Sequence, residues 1–492
     1  MKNNKKFLCT LLAAFMSLSM FASCGGGNNS SQSSDGTGTP PPPVITDVEA
    51  YDGSEVKVTF YHTMGKDLQD VLNLYIPRFN EMYPNITIEH TQIGGYDDVR
   101  SQISTELTTT NYPSIAYCYP DHVALYNKTK KVLTLDSYIA SEKTVTKADG
   151  TTEVMGFTEE QIADFIPGYY AEGRAYGDGK MYTLPYSKST ELLYYNKTYF
   201  ETKGYEVPTT WDEMEALCAK IKAEETNNIP LGYDSEANWF ITMCEQLGLP
   251  YTSATGDKFL FNTPEHIEFV EKLSDWYDKG YVTTEEIYGT YTSNLFKNQD
   301  STQPRSYMCI GSSGGAGHQI PDKVKNEAGE DVAPFEVGIA SIPQANPSNP
   351  KVISQGPSLV LFKKSAQEQA ATWLFAKFLT STVELQAEFS MESGYAPVIA
   401  SVSEHPVYKE FIDNANGYDL LPALAAKQAL AQKNAYYVSP AFDGSSAARE
   451  AVGILIQNCF IKNGLKESGL TAAEYIQQQF DDAIDELEFD YN

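Results

Sequence analysis

The sequence predicts an α/β fold, and three observations support this class. Residues 56–60, 86–88 and 114–119 read as strands, and 56–60 alternates apolar and polar side chains. Between them, residues 68–82 and 97–109 carry apolar side chains at helical spacing. This β-α-β-α-β order is typical of a sheet with helices on its faces. About 440 residues follow the N-terminal segments, which is long enough for two or three domains.

Capping boxes predict where several helices begin. In this motif the first residue has a hydroxyl that accepts a hydrogen bond from the backbone N–H of the residue three positions later. The carboxylate or amide of that later residue accepts one from the backbone N–H of the first. Four pairs fit the motif: Thr158 and Gln161, Thr210 and Glu213, Ser365 and Glu368, and Thr471 and Glu474.

Pro77 is expected to kink or shift the first helix. Later helices are expected over 211–223, 264–279, 366–379, 446–461 and 472–487.

Residues 1–23 have the pattern of an export signal. Three lysines precede the apolar run 7–22, which is shorter than the about 20 residues of a bilayer span. An uncleaved membrane or core helix is the alternative. Ala22 to Cys24 resembles the bacterial lipobox, although Phe21 departs from its usual leucine. The lipobox implies cleavage before Cys24 and lipidation of the Cys24 thiol.

Residues 24–54 are expected to tether a folded body to that lipid. The stretch 25–43 is composed of Gly, Ser, Asn, Thr, Pro and a few other polar residues, and it cannot bury a core. No later stretch approaches 18 uninterrupted apolar residues, so no other membrane span is expected. The predicted location is the cell membrane, through the lipid anchor only, on its extracellular or periplasmic side.

Composition argues against several partners and cofactors. The chain has 36 Lys+Arg against 65 Asp+Glu, a net charge of −29, which disfavours nucleic acid and anionic lipid surfaces. No C-x-x-C or H-E-x-x-H motif occurs, so neither a metal site nor a disulfide framework is expected, and no cofactor. Apart from Cys9 and Cys24, the cysteines are expected to be small buried hydrophobes: Cys118, Cys218, Cys244, Cys309 and Cys459.

The stretch IGSSGG, residues 310–315, fits the G-x-S-x-G pattern of serine hydrolases with Ser313 at its centre. Such an enzyme needs a partnered histidine and acid. His318 and His405 are available, but nothing in the sequence marks either. A glycine-rich turn after a strand can instead present N–H groups to a ligand oxygen or a phosphate. We therefore expect binding here and no enzyme activity.

Seven strings lie in a characteristic order along the chain. They are TFYHTMG (59–65), RFNEMYPNITIE (78–89), YTLPYSKSTELLYYNKTYF (182–200), VPTTWDEMEAL (207–217), YMCIGSSGG (307–315), SQGPSLVLFKKS (354–365) and SGYAPV (393–398). In this order and spacing they resemble the family 1 extracellular solute-binding proteins, the receptors of ABC importers for sugars and related solutes. The nearest resemblance is to the glycerol-3-phosphate-binding branch, from about residue 55 to the C-terminus.

The resemblance implies a two-lobed, periplasmic-binding-protein-like fold of type II, with a multi-segment hinge and a ligand cleft between the lobes. Lobe 1 would comprise residues 55–190 and 364–425, and lobe 2 residues 191–363 and 426–492. Ligands of α/β sheets bind at the carboxyl ends of strands, and closure around a ligand is a hinge motion. The implied partners are the separate permease and ATPase subunits of an ABC importer, and the protein itself would be a monomer.

The resemblance also assigns ligand contacts by position. Each has an ordinary structural alternative: a tyrosine can simply be half-buried, Gly356 can form a strand bulge, and Trp239 can belong to the core. In the cleft, Trp239 would be an aromatic plate for a sugar face. The expected contacts are Tyr96, Asp121, Ser189, Trp239, Ser312, Ser313, Gly356, Tyr395 and Asp443.

One departure from the family decides the expected ligand. Glycerol-phosphate binders place an arginine in a late cleft loop, but here that loop, residues 438–446, holds Asp443, and Arg449 follows on the next expected helix. A charge-assisted hydrogen bond contributes about 1.5–3 kcal/mol, roughly ten- to a hundredfold in affinity. Lys188 would compensate only if it did not face solvent.

We therefore expect a carbohydrate or polyol as ligand, delivered to an ABC permease. The first alternative is sn-glycerol-3-phosphate or a glycerophosphodiester. The others are a secreted serine hydrolase using Ser313 and a surface adhesin or chemosensory receptor built on the same fold.

Overall fold

Sixteen strands form two five-stranded sheets and three two-stranded ones in residues 48–491, the part of the chain that the computed structural model describes. The strands are β1 (Val56–His62), β2 (Ile86–Gln92), β3 (Ile115–Cys118), β4 (Thr144–Thr146), β5 (Thr152–Val154), β6 (Thr183–Pro185), β7 (Glu191–Asn196), β8 (Leu231–Tyr233), β9 (Val282–Thr284), β10 (Met308–Ser312), β11 (Val324–Lys325), β12 (Asp331–Val332), β13 (Val337–Ser341), β14 (Val352–Ile353), β15 (Ser358–Leu361) and β16 (Tyr436–Tyr437).

Helices lie between most of these strands and dominate the last third of the described chain. They are α1 (Lys66–Met82), α2 (Tyr96–Glu106), α3 (Pro120–Asn127), α4 (Asp136–Ile139), α5 (Glu159–Asp164), α6 (Pro167–Glu172), α7 (Lys197–Lys203), α8 (Trp211–Glu224), α9 (Glu236–Leu247), α10 (Pro264–Asp278), α11 (Glu285–Tyr288), α12 (Ser293–Lys297), α13 (Ala366–Ser381), α14 (Val383–Ser393), α15 (Pro406–Asn414), α16 (Leu420–Ala431), α17 (Ser445–Ile461), α18 (Leu465–Ser468) and α19 (Ala472–Tyr491). Three 3₁₀ helices cover Ser313–Gln319, Ala400–Glu404 and Lys433–Ala435.

The helices with predicted capping boxes begin where these motifs place them. Reciprocal capping boxes form at Thr158, Thr210 and Thr471. At Ser365 only the hydroxyl half forms, because the Glu368 carboxylate instead accepts a hydrogen bond of 2.8 Å from the Ser114 hydroxyl. Helix α1 continues through Pro77, so the proline does not shift its boundary. The five cysteines of the described residues are buried and unpaired, as expected.

The first sheet has the strand order β2-β1-β3-β15-β6. Strand β1 is parallel to β2 and β3, whereas β15 is antiparallel to β3 and β6. Apolar side chains of α1 and α13 cover one face, and Phe79 packs edge-on against Phe375. Burial of such aromatic pairs is a main source of stability in a core of this kind.

The second sheet has the order β13-β7-β10-β8-β9 and its own core. Strands β10, β8 and β9 are parallel, and β7 is antiparallel to β10 and β13. Helices α9, α10 and α17 cover one face, where Trp239 and Trp276 are fully buried. Two sheets with separate cores are the physical basis of two lobes.

The chain passes between the two sheets through extended segments. It leaves β6 for β7 over residues 186–190 and returns from β13 to β15 over residues 342–357. The two segments pair with each other: the N–H of Ser189 donates to the Gln355 carbonyl and the N–H of Gln355 to the Ser189 carbonyl, both at 2.9 Å. We call these the crossing segments.

The predicted lobe boundaries stay a prediction, and the contacts of two elements favour changing them. Strand β15 pairs within the first sheet, although residues 191–363 were expected in lobe 2. Helix α16 packs against β13 and β7 of the second sheet, although residues 364–425 were expected in lobe 1. Both contacts favour moving these elements to the other lobe.

A buried ion pair joins the crossing segments to α6. Lys188 and Glu172 are 0% and 4% exposed in their side chains, and the Lys188 ammonium donates to the Glu172 carboxylate. It also donates to the Gly356 carbonyl and the Ser358 hydroxyl, each at 3.0 Å. Burial raises the pKa of Glu172, and the Lys188 charge opposes that rise. Lys188 therefore does not face solvent, and its charge is already compensated.

Lys188→Met should strongly destabilise the protein, because it leaves Glu172 buried without its counter-ion. Removing one partner of a buried pair typically costs about 3–5 kcal/mol. The free energy of unfolding from urea titration measures this. Lys180→Met is the matched control, since the Lys180–Asp178 pair is exposed and such pairs contribute about 0–1 kcal/mol. Equal losses in the two variants would contradict the structural role of the pair.

Candidate functional site

A cavity of about 650 Å³ lies between the two sheets. The residues after β3 line it from the first sheet, and the residues at the ends of β8, β9 and β10 line it from the second. The crossing segments and residues 438–441 complete its wall. Its volume is in the usual range for a small-molecule site, and its position at the carboxyl ends of strands is where α/β sheets bind ligands.

Two carboxylates stand side by side at the edge of the second sheet. Strands β8 and β9 are parallel, and Tyr233 pairs with Thr284. The next residues, Asp234 and Glu285, are therefore neighbours at the carboxyl ends of adjacent strands, where strand spacing is about 4.8 Å. Both line the cavity.

A third carboxylate extends this line. Strand β10 lies between β7 and β8, and its last residue, Ser312, pairs with Glu191 at the start of β7. Glu191 is buried and accepts hydrogen bonds from the Tyr233 hydroxyl at 2.6 Å and the Asn238 amide at 3.1 Å. Burial raises its pKa to about 7. We call Glu191, Asp234 and Glu285 the carboxylate row.

Asp234 and Glu285, the two neighbouring members of the row, repel each other. One Asp234 oxygen accepts from the N–H and the hydroxyl of Thr292, both at 2.7 Å. Burial raises the pKa of Asp234. Burial first, and then the charge of Asp234, raises the pKa of Glu285 to about 8. Within the described residues, no hydrogen bond or ion pair reaches the Glu285 carboxylate. The row is thus a set of acceptors that the protein itself leaves partly unsatisfied.

Tyrosines form the facing wall. Tyr96 and Tyr119 stack with ring centroids 4.2 Å apart, and both line the cavity together with Tyr395. Burial raises the pKa of all three hydroxyls, so they remain protonated at neutral pH. A Cβ on Gly314 would lie 3.0 Å from the Tyr395 ring, so only glycine lets the IGSSGG turn approach that closely. We call these three residues the tyrosine wall.

Six of the nine predicted ligand contacts line this cavity. The Ser312 hydroxyl accepts from the Gly314 N–H at 3.2 Å, at the start of the 3₁₀ helix. Gly356 has φ +95°, and a Cβ there would meet the Ser187 carbonyl at 2.5 Å, so glycine is required where the crossing segments meet. The six lining residues are Tyr96, Asp121, Ser189, Ser312, Gly356 and Tyr395.

Trp239 does not reach the cavity. It is fully buried, and its ring stacks on Tyr233 with centroids 4.7 Å apart inside the second core. The expectation of an aromatic plate for a sugar is therefore wrong for Trp239, because helix α9 turns that face of the helix toward the sheet. The tyrosine wall provides the aromatic surface instead.

Ser313 and Asp443 are also absent from the cavity lining. The Ser313 side chain is fully buried, and its hydroxyl accepts from the Thr190 N–H at 3.2 Å. No hydrogen bond joins Ser313 to a histidine in the described part of the chain, so the arrangement of a hydrolase nucleophile is not formed. Asp443 forms an ion pair of 3.0 Å with Lys128 instead.

The sequence interpretation expected Arg449 on the helix after the cleft loop and did not count it among the ligand contacts. It lies one turn into α17, near the wall residues 438–441 and Ser445, and lines the cavity. Its guanidinium donates to the Asn238 side chain at 2.7 Å and lies 3.6 Å from the Asp121 carboxylate. An arginine is therefore present at the site, although the loop itself contains none.

Three polar contacts join α2 and α3 of the first lobe to the segment that starts α17. These are Asp121 with Arg449, Lys128 with Asp443, and the Arg100 guanidinium with the Ser446 hydroxyl at 2.9 Å. We call the last two the rim contacts, since neither Asp443 nor Ser446 lines the cavity. Asp443 thus connects the lobes across the rim and does not contact the cavity.

Glu191→Gln should abolish a pH-dependent loss of stability. Folding raises the Glu191 pKa from 4.5 to about 7, so this carboxyl stabilises the fold fully below pH 4.5 and loses that contribution as the pH rises through 7. At pH 8 the variant should have a higher melting temperature than the wild type, and its free energy of unfolding should be higher by up to about 3 kcal/mol. Near pH 4.5 the two proteins should be equally stable. Glu201→Gln, an exposed control, should show no such difference; parallel pH profiles for Glu191→Gln and wild type would refute the assignment.

Comparisons with known proteins agree with this architecture. A family model described as bacterial extracellular solute-binding protein matches residues 75–416. The sn-glycerol-3-phosphate-binding periplasmic protein UgpB of Salmonella typhimurium is 26% identical over 390 residues, covering 75% of this chain and 81% of that protein.

Two solved structures share the fold. The GacH receptor of Streptomyces glaucescens has a TM-score of 0.66 at 17% identity and covers 89% of this chain and 100% of its own. UgpB of Mycobacterium tuberculosis has a TM-score of 0.65 at 17% identity and covers 88% and 99%. The predicted two-lobed type II fold is confirmed, and the chain belongs to the bacterial extracellular solute-binding protein family.

Proposed function

We propose that this solute-binding protein captures a carbohydrate or polyol between the tyrosine wall and the carboxylate row and delivers it to the permease and ATPase subunits of an ABC importer. The observation that carries the proposal is the pairing of these two surfaces across one cavity. Sugars present apolar C–H faces that stack on aromatic rings, and hydroxyls that donate to fixed acceptors. The protein acts as a monomer and releases its ligand unchanged.

The charges of the cavity favour a ligand without a phosphate. Asp121 and the carboxylate row line it, and Glu172 adds a carboxylate already paired with Lys188. A phosphate would be repelled by this set. Carboxylates instead accept hydroxyl hydrogen bonds, which are stronger than those between neutral groups.

A glycerophosphate ligand remains the second candidate because Arg449 and Lys297 line the cavity. The Salmonella relative is an sn-glycerol-3-phosphate-binding protein, and UgpB of Mycobacterium tuberculosis was crystallised with glycerophosphocholine. GacH, in contrast, was crystallised with acarbose. Arg449 already contacts Asp121 and Asn238. It therefore has fewer free N–H donors and less uncompensated charge for a phosphate than a free guanidinium would have.

We further propose that the protein is exported and held at the membrane by a lipid on Cys24. The proposed signal, residues 1–23, the Cys24 lipid site and most of the tether lie outside the described residues. Of the helices within residues 48–491, none is long and apolar enough to cross a membrane. The proposal rests on the lipobox-like Ala22 to Cys24 and on the family, whose description is extracellular.

A melting-shift and calorimetric screen should yield a ligand among sugars and polyols, and not among glycerol-3-phosphate and glycerophosphodiesters. A ligand that binds only the native state raises the melting temperature by mass action. Tyr395→Ala should weaken its binding about tenfold or more, through lost stacking area. Tyr418→Ala, an exposed tyrosine outside the lining, is the control.

Two results of this screen would count against the proposal. A phosphate ligand whose affinity falls in Arg449→Met would establish the second candidate. Conversion of the ligand to a product during the measurement would show an enzyme.

Cys24→Ala should move the protein from the membrane fraction to the medium or periplasm, since a lipid is its only proposed anchor. Cys9→Ala, the same change outside the lipobox-like Ala22 to Cys24, is the matched control. Fractionation and metabolic labelling with a fatty acid measure both. Retention of unlabelled Cys24→Ala in membranes would show that residues 7–22 remain as a membrane helix.

A further inference from the structure

We infer that four lysines of the first lobe form a docking surface for the anionic phospholipid headgroups of the membrane. They are Lys130, Lys131, Lys363 and Lys364, and we call them the lysine patch. The inference goes beyond the binding of a ligand, and it rests on one part of the proposed function, the attachment of the chain to a membrane through Cys24.

The lysine patch lies where the turn after α3 meets the residues that follow β15. The N–H of Lys363 donates to the Lys131 carbonyl at 2.7 Å, and the Lys363 ammonium donates to the Lys130 carbonyl at 2.8 Å. The ammoniums of Lys131 and Lys364 lie over the same Tyr112 ring, 4.7 and 4.1 Å from its centroid. The four lysines therefore belong to one region of the surface.

The positive charge of the patch has no counter-ion in the described part of the chain. The Lys131 ammonium donates to the carbonyls of Leu107 and Thr109, both at 2.7 Å. The Lys364 ammonium donates to the Tyr112 carbonyl at 2.7 Å. A neutral carbonyl satisfies a donor without cancelling its charge. Four unpaired lysines around one tyrosine stand out in a chain with 65 Asp+Glu against 36 Lys+Arg.

Two carboxylates lie on this side of the lobe, and neither forms an ion pair with the patch. Burial lowers the pKa of Lys364; Glu368 and Glu106 oppose this, and the charge of Lys131 adds to it. Both carboxylates accept hydrogen bonds from uncharged side chains. The protein thus relieves the repulsion between the lysines only in part, and an external anion would relieve the rest.

The fold itself does not require a lysine at position 130. Lys130 is exposed, and its side chain makes no hydrogen bond or ion pair within residues 48–491. Its φ is +58°, a left-handed conformation that glycine and asparagine adopt more readily. Lys462 also has a positive φ, but its ammonium forms an ion pair with Asp278. The charge of Lys130 has no such use inside the protein.

The patch lies where the N-terminal segment joins the folded body. Gln367, in the first turn of α13 and three positions after Lys364, donates to the Ala50 carbonyl at 3.1 Å. It also accepts a hydrogen bond of 2.9 Å from the Asp52 N–H. The segment is therefore fixed beside the patch. A lipid at the far end of the proposed tether gives this surface a high effective concentration at the membrane.

The patch orients a tethered body and does not replace the lipid. The net charge of −29 opposes adsorption of the whole molecule to an anionic surface. Charges further away than the Debye length, about 8 Å at physiological salt, are largely screened, so the local charge decides which face approaches the membrane. Each lysine close to an anionic membrane raises the affinity about fivefold.

The test couples the mature chain, residues 24–492, to vesicles through the Cys24 thiol and a maleimide lipid. The other five cysteines of this chain are buried, so the coupling is specific. One set of vesicles contains phosphatidylcholine alone, and the other contains equal parts of phosphatidylcholine and phosphatidylglycerol. Acetylation of each lysine is followed over time by mass spectrometry.

The four lysines of the patch should react about fivefold more slowly on the phosphatidylglycerol vesicles. The difference should vanish in 1 M salt, where the Debye length is about 3 Å. Lys427 and Lys466, exposed lysines of α16 and α18, are the internal controls and should react equally on both vesicles.

A pair of charge-reversal variants tests the patch directly. Lys130→Glu combined with Lys363→Glu should abolish the protection of Lys364. Lys427→Glu combined with Lys466→Glu makes the same change in net charge and should preserve it. The melting temperatures of both double variants show whether the fold is intact.

Equal reaction rates on the two vesicles would overturn the inference and would favour an acidic protein segment as the partner of the patch. Protection that persists in 1 M salt, or in the variant with Lys130→Glu and Lys363→Glu, would overturn it as well. None of these results affects the proposed function, which the ligand screen and Cys24→Ala in cells test separately.

Discussion

The pairing of the two crossing segments is the constraint on which the rest of the structure depends. Ser189 and Gln355 exchange both backbone hydrogen bonds, and Gly356 fits only because it lacks a side chain. Lys188 then fixes both segments to Glu172. Because each sheet continues directly from this junction, its geometry determines which strand ends face each other across the cavity.

The facing surfaces differ in chemistry because different local rules produce them. On the first lobe, residues after β3 and at the start of α2 provide aromatic rings. On the second lobe, parallel strands end in step, so the residue after each strand is carried to the same edge. The result is one wall with an aromatic surface, beside which Asp121 also lines the cavity, and one wall with a row of carboxylates; together they suit a ligand with both apolar and polar surfaces.

Much of this could be predicted from the sequence, and the failures have physical causes. Alternating apolar residues, helical spacing and capping boxes each involve residues that are close together in sequence. The types of the elements and the starts of the helices were therefore predicted correctly. The ordered strings contain four of the six lining residues, and the resemblance placed Tyr96 and Asp121 by their positions between the strings. Trp239 failed because its orientation depends on how α9 packs on its sheet. Arg449 was correctly expected on the helix after the cleft loop, but it was not counted as a contact because the sequence does not show that the first turn of this helix reaches the cavity.

The carboxylate row was missed for a different reason. Asp234 and Glu285 are 51 positions apart in the chain, and only the register of β8 and β9 brings them together. Strands β8 and β9 are three residues long each, and neither was among the predicted strands, so no pattern marked the residues that follow them. The burial of Lys188 could not be predicted for a similar reason. It depends on Glu172 and on the crossing segment 342–357, and neither is adjacent to Lys188 in sequence.

The rim contacts have a consequence for how the cavity admits its ligand. Lys128 and Asp443 are about half and one-third exposed, and such pairs contribute about 0–1 kcal/mol and weaken in salt. The junction on the opposite side is buried and strong. The two lobes are therefore joined firmly at the crossing segments and only weakly at the rim contacts. A contact of this energy is small compared with the binding free energy of a ligand of even modest affinity, and higher ionic strength weakens the Lys128–Asp443 pair further.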